Sequence, residues 1–263
     1  PTDGGLVRFD GARFTPFRTS NTAQLPANAI RDVREAPDGS LWVMTQKGLV
    51  RFAEDRFARL GDFDGPISGV EFAREGRPLV SLLSGGLWEL VGGKWNNLSD
   101  GRIVRPDEPI QILFRDTSDR IWLGLRGGGL ACHERGVFGR PPWSGQLPEV
   151  TRFYEQPAGT LWICTIAGLW RLRDGVPEPF GAAGGLPREN TSDVLVDSRG
   201  RLWVCAQKLY LSPTADGRAF RVVPTPGIEA PRAITEDHEG NLWVASSGDG
   251  IARLRPTPFR SLL

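Results

Sequence analysis

An aliphatic-Trp-aliphatic triplet recurs along the 263 residues at nearly fixed intervals, and such a period restricts the fold more than any local motif can. Leu41-Trp42-Val43, Ile121-Trp122-Leu123, Leu161-Trp162-Ile163, Leu202-Trp203-Val204 and Leu242-Trp243-Val244 set the Trp residues 80, 40, 41 and 40 apart. The double interval holds a worn copy, Gly76-Arg77-Pro78-Leu79-Val80-Ser81, in which Val80 takes the Trp slot and splits the interval into 38 and 42. Upstream of the triplets stand turn sequences, Pro37-Asp38-Gly39, Ala158-Gly159, Ser198-Arg199-Gly200 and Glu239-Gly240, where glycine supplies the positive φ of a hairpin. Ahead of these lie apolar runs at 30–33, 110–114, 151–154, 194–196 and 233–235, suited to a buried first strand. Downstream, a second Gly turn opens a third strand, as in Gly48-Leu49-Val50-Arg51-Phe52 and Gly168-Leu169-Trp170-Arg171-Leu172. A more polar fourth strand ends in an aromatic such as Phe57, Trp95 or Phe180.

Four strands per unit of roughly 40 residues, without helical periodicity between them, predict an all-β protein, a β-propeller of four-stranded blades. The 33 glycines and 21 prolines suit many short strands joined by tight turns. The Trp rings read as core: each fills the wedge between neighbouring blades and buries roughly 150–250 Å². Units are expected at 28–60, 66–98, 108–140, 148–181, 190–222 and 230–263, within one domain spanning 1–263. Gly4 to Gly11 match a third strand and Arg13 to Phe17 a fourth, so residues 1–18 count as an incomplete first blade and the expected total is seven. The opening Pro1-Thr2-Asp3-Gly4-Gly5 has neither Met nor a leader pattern, as expected of a piece of a longer chain.

The stretch Leu25-Pro26-Ala27-Asn28-Ala29-Ile30, through Pro37-Asp38-Gly39-Ser40-Leu41-Trp42-Val43-Met44-Thr45, to Gly48-Leu49-Val50-Arg51-Phe52 resembles the two-component regulator propeller repeat. The resemblance covers nearly the whole chain and fails mainly around Leu79 and Val80 and where Lys208 displaces the Gly before Leu209. It implies the periplasmic sensor region of an inner-membrane receptor with a histidine kinase or GGDEF diguanylate cyclase output. By that resemblance the partners are neighbouring propeller and output domains of the same polypeptide and an unknown small-molecule or glycan ligand, and the full-length receptor is a candidate homodimer.

Charge names no partner. Lys and Arg total 32 against 31 Asp and Glu, which argues against a surface built for nucleic-acid phosphates or anionic lipid. Raw material for catalysis is scarce, so no enzyme, cofactor or metal is expected. The two histidines, His133 and His238, lie three units apart, and no base stands beside a nucleophile. Arg126-Gly127-Gly128-Gly129 lacks the helix and Lys-Ser/Thr of a phosphate loop and reads as a turn. Asp38, Asp119, Asp197 and Asp237 recur with the repeat and read as turn formers. The slot eleven residues before each Trp holds Arg31, Gln111, Thr151, Ser192 and Arg232, polar but without an evident base. A sensory or ligand-binding module is thus the leading reading, a protein-docking scaffold the second, and a propeller lyase or hydrolase the third.

Strand alternation locates the site. The loops joining second to third strands and the segments between units must share one face, face one, whereas the Asp-Gly style turns share face two. Face-one loops differ most between units, so binding is expected there and scaffold on face two. It gathers Asn28, Arg31, Lys47, Arg126, Arg188, Lys208 and Arg232, with Glu149, Glu189 and Asp249 close by, which fits an anionic or polyhydroxylated ligand.

Cys132, Cys164 and Cys205 are expected to be unpaired: Cys164 and Cys205 each follow a unit Trp by two residues, so they occupy equivalent points of adjacent units, roughly 10 Å or more apart and beyond the ~7 Å reach of a disulfide. Thiol titration of the unfolded, unreduced chain should therefore find three groups. Finding one would overturn the registration.

Overall fold

The computed structural model describes residues 4–9, 12–61, 63, 65–73, 75–99, 104, 108–246 and 248–255. Apart from two short 3-10 turns, Ser144–Gln146 and Ala182–Gly184, its regular structure is all β, and the strands build the blades of a β-propeller. Among the described residues no helix is long and apolar enough to cross a membrane. The chain divides into two compact units, 1–144 and 145–263.

The first unit holds blade 1 (30–59), blade 2 (67–97) and blade 3 (110–139); the second holds blade 4 (150–179), blade 5 (193–223) and blade 6 (231–254). Blade 1 shows the plan: Ile30–Glu35, Leu41–Thr45, Gly48–Ala53 and Arg56–Arg59 are antiparallel and hydrogen-bonded in chain order. Blades 2 to 5 repeat it, and blade 6 shows three strands; the fourth strand expected near its end falls outside the described residues.

The expected seven blades are corrected to six. Leu6–Phe9 and Phe14–Phe17 pair only with each other, as a two-stranded ribbon with most side chains in solvent. The ribbon carries no Trp wedge; it packs through Phe17, whose ring lies 5.9 Å from Phe52 and 5.2 Å from Phe57 of blade 1.

Within each unit the Trp rings fill the wedges as expected. Trp42 meets Phe72 of blade 2 edge-on at 5.4 Å and shares a cluster with Val70. Trp162 packs on Val194, Val196, Leu202 and Val204 of blade 5, and Trp203 on Ile234, Leu242 and Val244 of blade 6. A buried indole must place its N–H, and the residue six positions upstream supplies the acceptor. Trp122, Trp203 and Trp243 donate to Asp116, Asp197 and Asp237 Oδ2 at 2.8, 2.7 and 2.8 Å. The other carboxylate oxygen closes the turn between the first two strands: Asp197 Oδ1 accepts from the Arg199 and Arg201 backbone N–H groups. Burial alone would raise the Asp197 carboxyl, yet the Trp203 indole and both donors of Arg201 bring it below its ordinary value.

Asp119 sits in the blade 3 turn, as expected, with φ 67° and its carboxylate accepting from Arg115 Nε at 2.8 Å, while the indole acceptor is Asp116 three residues earlier. One assignment changes here. In blade 2 the Trp slot belongs to Leu79, not Val80. The turn bond from Ala73 N–H to Arg77 C=O matches those from Asp116 to Arg120 and Asp197 to Arg201. Leu79 pairs with Glu71 as Trp42 pairs with Arg34, and it packs toward blade 3, whereas Val80 packs back among the blade 1 residues. The Trp-slot intervals become 37 and 43.

Cys132, Cys164 and Cys205 are free thiols. Burial pushes Cys132 up to about 12 and holds Cys164 and Cys205 well above the ordinary thiol value, so none is a ready nucleophile.

Asp197 is 1% exposed and serves a buried indole, two backbone N–H groups and a guanidinium at once. Asp197→Ala leaves those donors unpaired and should cost about 2–4 kcal/mol in denaturant unfolding. Asp38→Ala, at an exposed turn whose carboxylate serves Ser40 and Arg51, should cost about 1 kcal/mol or less. Equal losses would contradict this assignment.

Candidate functional site

Face one is built by the same backbone contacts in successive blades. The N–H that opens the loop between strands two and three donates to the carbonyl of the residue ahead of strand one: Gln46 to Ala29, Leu83 to Pro66, Arg126 to Pro109 and Ile166 to Glu149, at 2.8–3.0 Å. Blades 1 to 4 therefore each hold their loop and entry segment together at one end.

A second regularity lies one step inside that end. The first strands of blades 1, 2, 3, 4 and 6 each carry an extra residue opposite their second strand: Arg31, Ser68, Gln111, Thr151 and Arg232. A β-bulge leaves that residue outside the ladder and re-aims its side chain, which explains why a polar residue interrupts an apolar strand. In the second unit Thr151 and Ser192, which holds the equivalent position just ahead of the unbulged first strand of blade 5, hold blades together. Thr151 Oγ1 donates to the Thr191 carbonyl, and Ser192 Oγ donates to the Pro231 carbonyl at 3.0 Å. Arg31 and Arg232 stay exposed.

Each of the seven sequence-predicted residues sits at this end of its own blade. In the first unit, Lys47 lines a recess of about 320 Å³ with Arg59, Phe63 and Pro66, while Arg126 and Arg31 are exposed on blades 3 and 1. Asn28 is already engaged, its side-chain oxygen accepting from Thr19 N–H at 2.8 Å. In the second unit, Arg188 crosses over Gly168, where a Cβ would lie 3.5 Å from the Arg188 Cα, and the pocket beside it, about 30 Å³, admits no more than a water. Lys208 and Arg232 are exposed on blades 5 and 6. Among the described residues, none of these six cations makes an ion pair. Two of the acidic neighbours are committed elsewhere: Glu189 accepts from Gln207 N–H and the Tyr210 hydroxyl, and Asp249 from Glu229 N–H and the Ser246 hydroxyl.

Sequence reading missed one titratable group. Glu71 lies in the first strand of blade 2, Ile67–Phe72, and is affected by Arg34 of blade 1 and Arg115 of blade 3, whose Nη1 donates to the Phe72 carbonyl at 3.1 Å. Burial pushes its carboxyl up to about 7; the two guanidiniums and the Phe72 N–H offset this only in part, and Asp32 adds to the rise. A lone Glu in Ile-Ser-Gly-Val-Glu-Phe is the signal, since a charged residue in a buried strand requires partners. The two histidines fall in different units, His133 half-buried in blade 3 and His238 exposed in a blade 6 turn. Among the described residues, no group of three or more metal-binding side chains converges.

No family model and no curated protein matches the chain. Solved structures do. The extracellular domain of BT3049 from B. thetaiotaomicron, described as a hybrid two-component system, matches with a TM-score of 0.77 at 17% identity over 95% of this chain. This chain spans 37% of that one. YCF48 from Cyanidioschyzon merolae matches with a TM-score of 0.73 at 14% identity, over 97% of this chain and 90% of that one. Streptogramin B lyase matches with a TM-score of 0.71 at 12% identity, over 95% and 86%. The chain thus shares its propeller fold with the extracellular part of a two-component system, in keeping with the resemblance of its repeats, and with at least one enzyme.

Glu71 makes stability fall as pH rises. The folded chain holds the proton up to about pH 7 while the unfolded chain loses it near 4.5, so the folded state bears no cost below 4.5 and a growing one above it. By about pH 8 the loss should be on the order of 3 kcal/mol. Urea midpoints of the parent and Glu71→Gln should converge at about pH 4.5 and diverge, with the variant above, by about pH 8; parallel curves would contradict the buried, protonated carboxyl.

Proposed function

We propose that this chain is an extracytoplasmic sensory module of a signal-transduction receptor, binding its ligand on face one. The observation that carries the proposal is the shared fold with the extracellular domain of BT3049 along 95% of this chain. That match spans little more than a third of the other chain, in keeping with a module that works alongside neighbouring propeller and output domains. On this reading the location is the periplasm, the output is a histidine kinase or a GGDEF diguanylate cyclase, and the module itself catalyses nothing. In the first unit exposed Arg31, Lys47 and Arg126, uncommitted within the described residues, favour a ligand with anionic or multiple hydroxyl groups, and in the second unit exposed Arg188, Lys208 and Arg232 have the same chemistry.

A second reading, a lyase, draws on the fold match to streptogramin B lyase. It needs a general base, and the candidates are the uncharged His133 and Glu71 as the carboxylate it becomes above about pH 7, neither of which belongs to the face-one set. Turnover of a cyclic peptide or glycan, abolished by His133→Ala or Glu71→Gln, would establish it in place of the sensor.

A thermal-shift screen of sugar acids, phosphorylated sugars and oligosaccharides tests the sensor reading. A ligand at roughly a hundredfold excess over its Kd should raise the melting temperature by ~5 °C through mass action. Lys47→Glu with Arg126→Glu should abolish that rise with the fold intact. An unchanged rise moves the site off face one.

A further inference from the structure

Blade 2 has lost both halves of the bond that closes blades 3, 5 and 6. Ala73 stands where Asp116, Asp197 and Asp237 stand, and Leu79 stands where their Trp partners stand. The residue between them has been kept. In blades 3 and 5 it is Arg120 and Arg201, whose guanidiniums lie over the Trp122 and Trp203 rings at 5.1 and 5.3 Å while their Nε atoms donate to the Asp. In blade 2 it is Arg77, which has neither ring nor Asp. Its Nε donates to Glu89 at 2.7 Å and its Nη1 to Glu75, so two acidic residues hold the guanidinium out at the same turn.

The absent ring leaves space. A cleft of about 390 Å³ opens between blades 2 and 3 on face two, within the range that small ligands occupy. Its apolar walls are Leu79, 2% exposed, and Ile121, 3% exposed. Arg77, Glu89, Asp119 and His133 give it polar edges. His133 lies tilted against Phe138 with ring centroids 4.6 Å apart, and burial brings its imidazole below the ordinary value, opposed by Glu89 and Asp119, so at neutral pH it adds a flat, uncharged surface. The chemistry of the equivalent wedges defines what fits: an aromatic ring packed on aliphatic side chains, covered by a guanidinium, with a ring N–H donated to a carboxylate. Blade 2 lacks the ring and the upstream Asp, but keeps the aliphatic walls and the cation, and Glu89 and Asp119 bring carboxylates to the cleft from other positions.

The geometry points to a second binding site, on face two, for a small planar aromatic compound bearing an N–H or hydroxyl donor, seated against Leu79 and Ile121 beneath Arg77 and donating to Glu89 or Asp119. This site is independent of any ligand on face one.

Indole is the minimal probe, and the chain reports on it directly, because its only histidines are His133, in the cleft, and His238, in a turn of the other unit. Titrating indole in a proton NMR experiment should shift the His133 imidazole signal, assigned with His133→Gln, and leave that of His238 in place. A fragment of this size should saturate with a Kd of ~0.1–10 mM. Leu79→Trp refills the wedge and should abolish the shift. Arg77→Ala, at a 43% exposed side chain, keeps the fold and should weaken binding ~tenfold by removing the cation. No shift of His133 at ~10 mM indole, or full binding retained in either variant, would overturn the assignment. Binding of cyclohexanol as tight as that of indole would also overturn it, since the ring would then not be what the cleft reads.

Discussion

Burying a Trp ring between two sheets costs free energy unless its N–H finds an acceptor, and blades 3, 5 and 6 provide one with a carboxylate six residues upstream. The same Asp closes the hairpin between the first two strands with its other oxygen, so one side chain sets a local turn and anchors the long-range packing. Turn, strand register and blade stacking are thereby coupled: shifting the second strand by one residue would carry the ring off the wedge and strand the carboxylate. The Arg or Asn two residues before the Trp completes the arrangement by pairing with the Asp.

Departures from this arrangement are where the blades acquire individuality. Blade 4 keeps its Trp but uses the Gln156 carbonyl as acceptor, at 2.9 Å, and blade 1 keeps its Trp with Ala36 upstream. Only blade 2 gives up both, and the consequence is an opened wedge with its cation still in place. The opposite end is regular in another way, through a bulge that frees one polar residue in blades 1 to 4 and 6 and a loop tied to the entry segment in blades 1 to 4. Of the residues at the bulge and its blade 5 equivalent, Thr151 and Ser192 tie one blade to the next, whereas Arg31 and Arg232 present charge to solvent. One repeated position is thus spent partly on assembly and partly on surface chemistry.

Much of this was legible in the sequence. The Trp period gave the blade plan, the strand order and the core role of the rings, because a large residue at a fixed register leaves few alternatives. The blade count was misjudged because Leu6–Phe9 and Phe14–Phe17 carry third- and fourth-strand patterns, yet a pattern does not supply the first two strands needed for a wedge. Leu79 and Val80 are interchangeable in hydropathy, and only the bond from Ala73 to Arg77 shows which one faces forward. Asp116 was hidden by Asp119 three residues later, since both are plausible turn formers and the indole bond is invisible in one dimension. Face two read as uniform scaffold because its turns look alike; the cleft there comes from two absences, which no motif marks. The bulges were invisible for a similar reason, as they appear only when opposite strands are laid in register.

The account rests on the Asp-to-indole bond coupling turn and wedge, and a double-mutant cycle on Asp116 and Trp122 measures that coupling directly. Asp116→Asn weakens the acceptor, Trp122→Phe removes the donor while keeping a ring, and the unfolding free energies of the two single variants and the double variant isolate the pair. The account predicts that the double variant loses less than the sum of the singles by about 1 kcal/mol or more. Losses that add to within about 0.3 kcal/mol would show that carboxylate and indole act independently, and would contradict it.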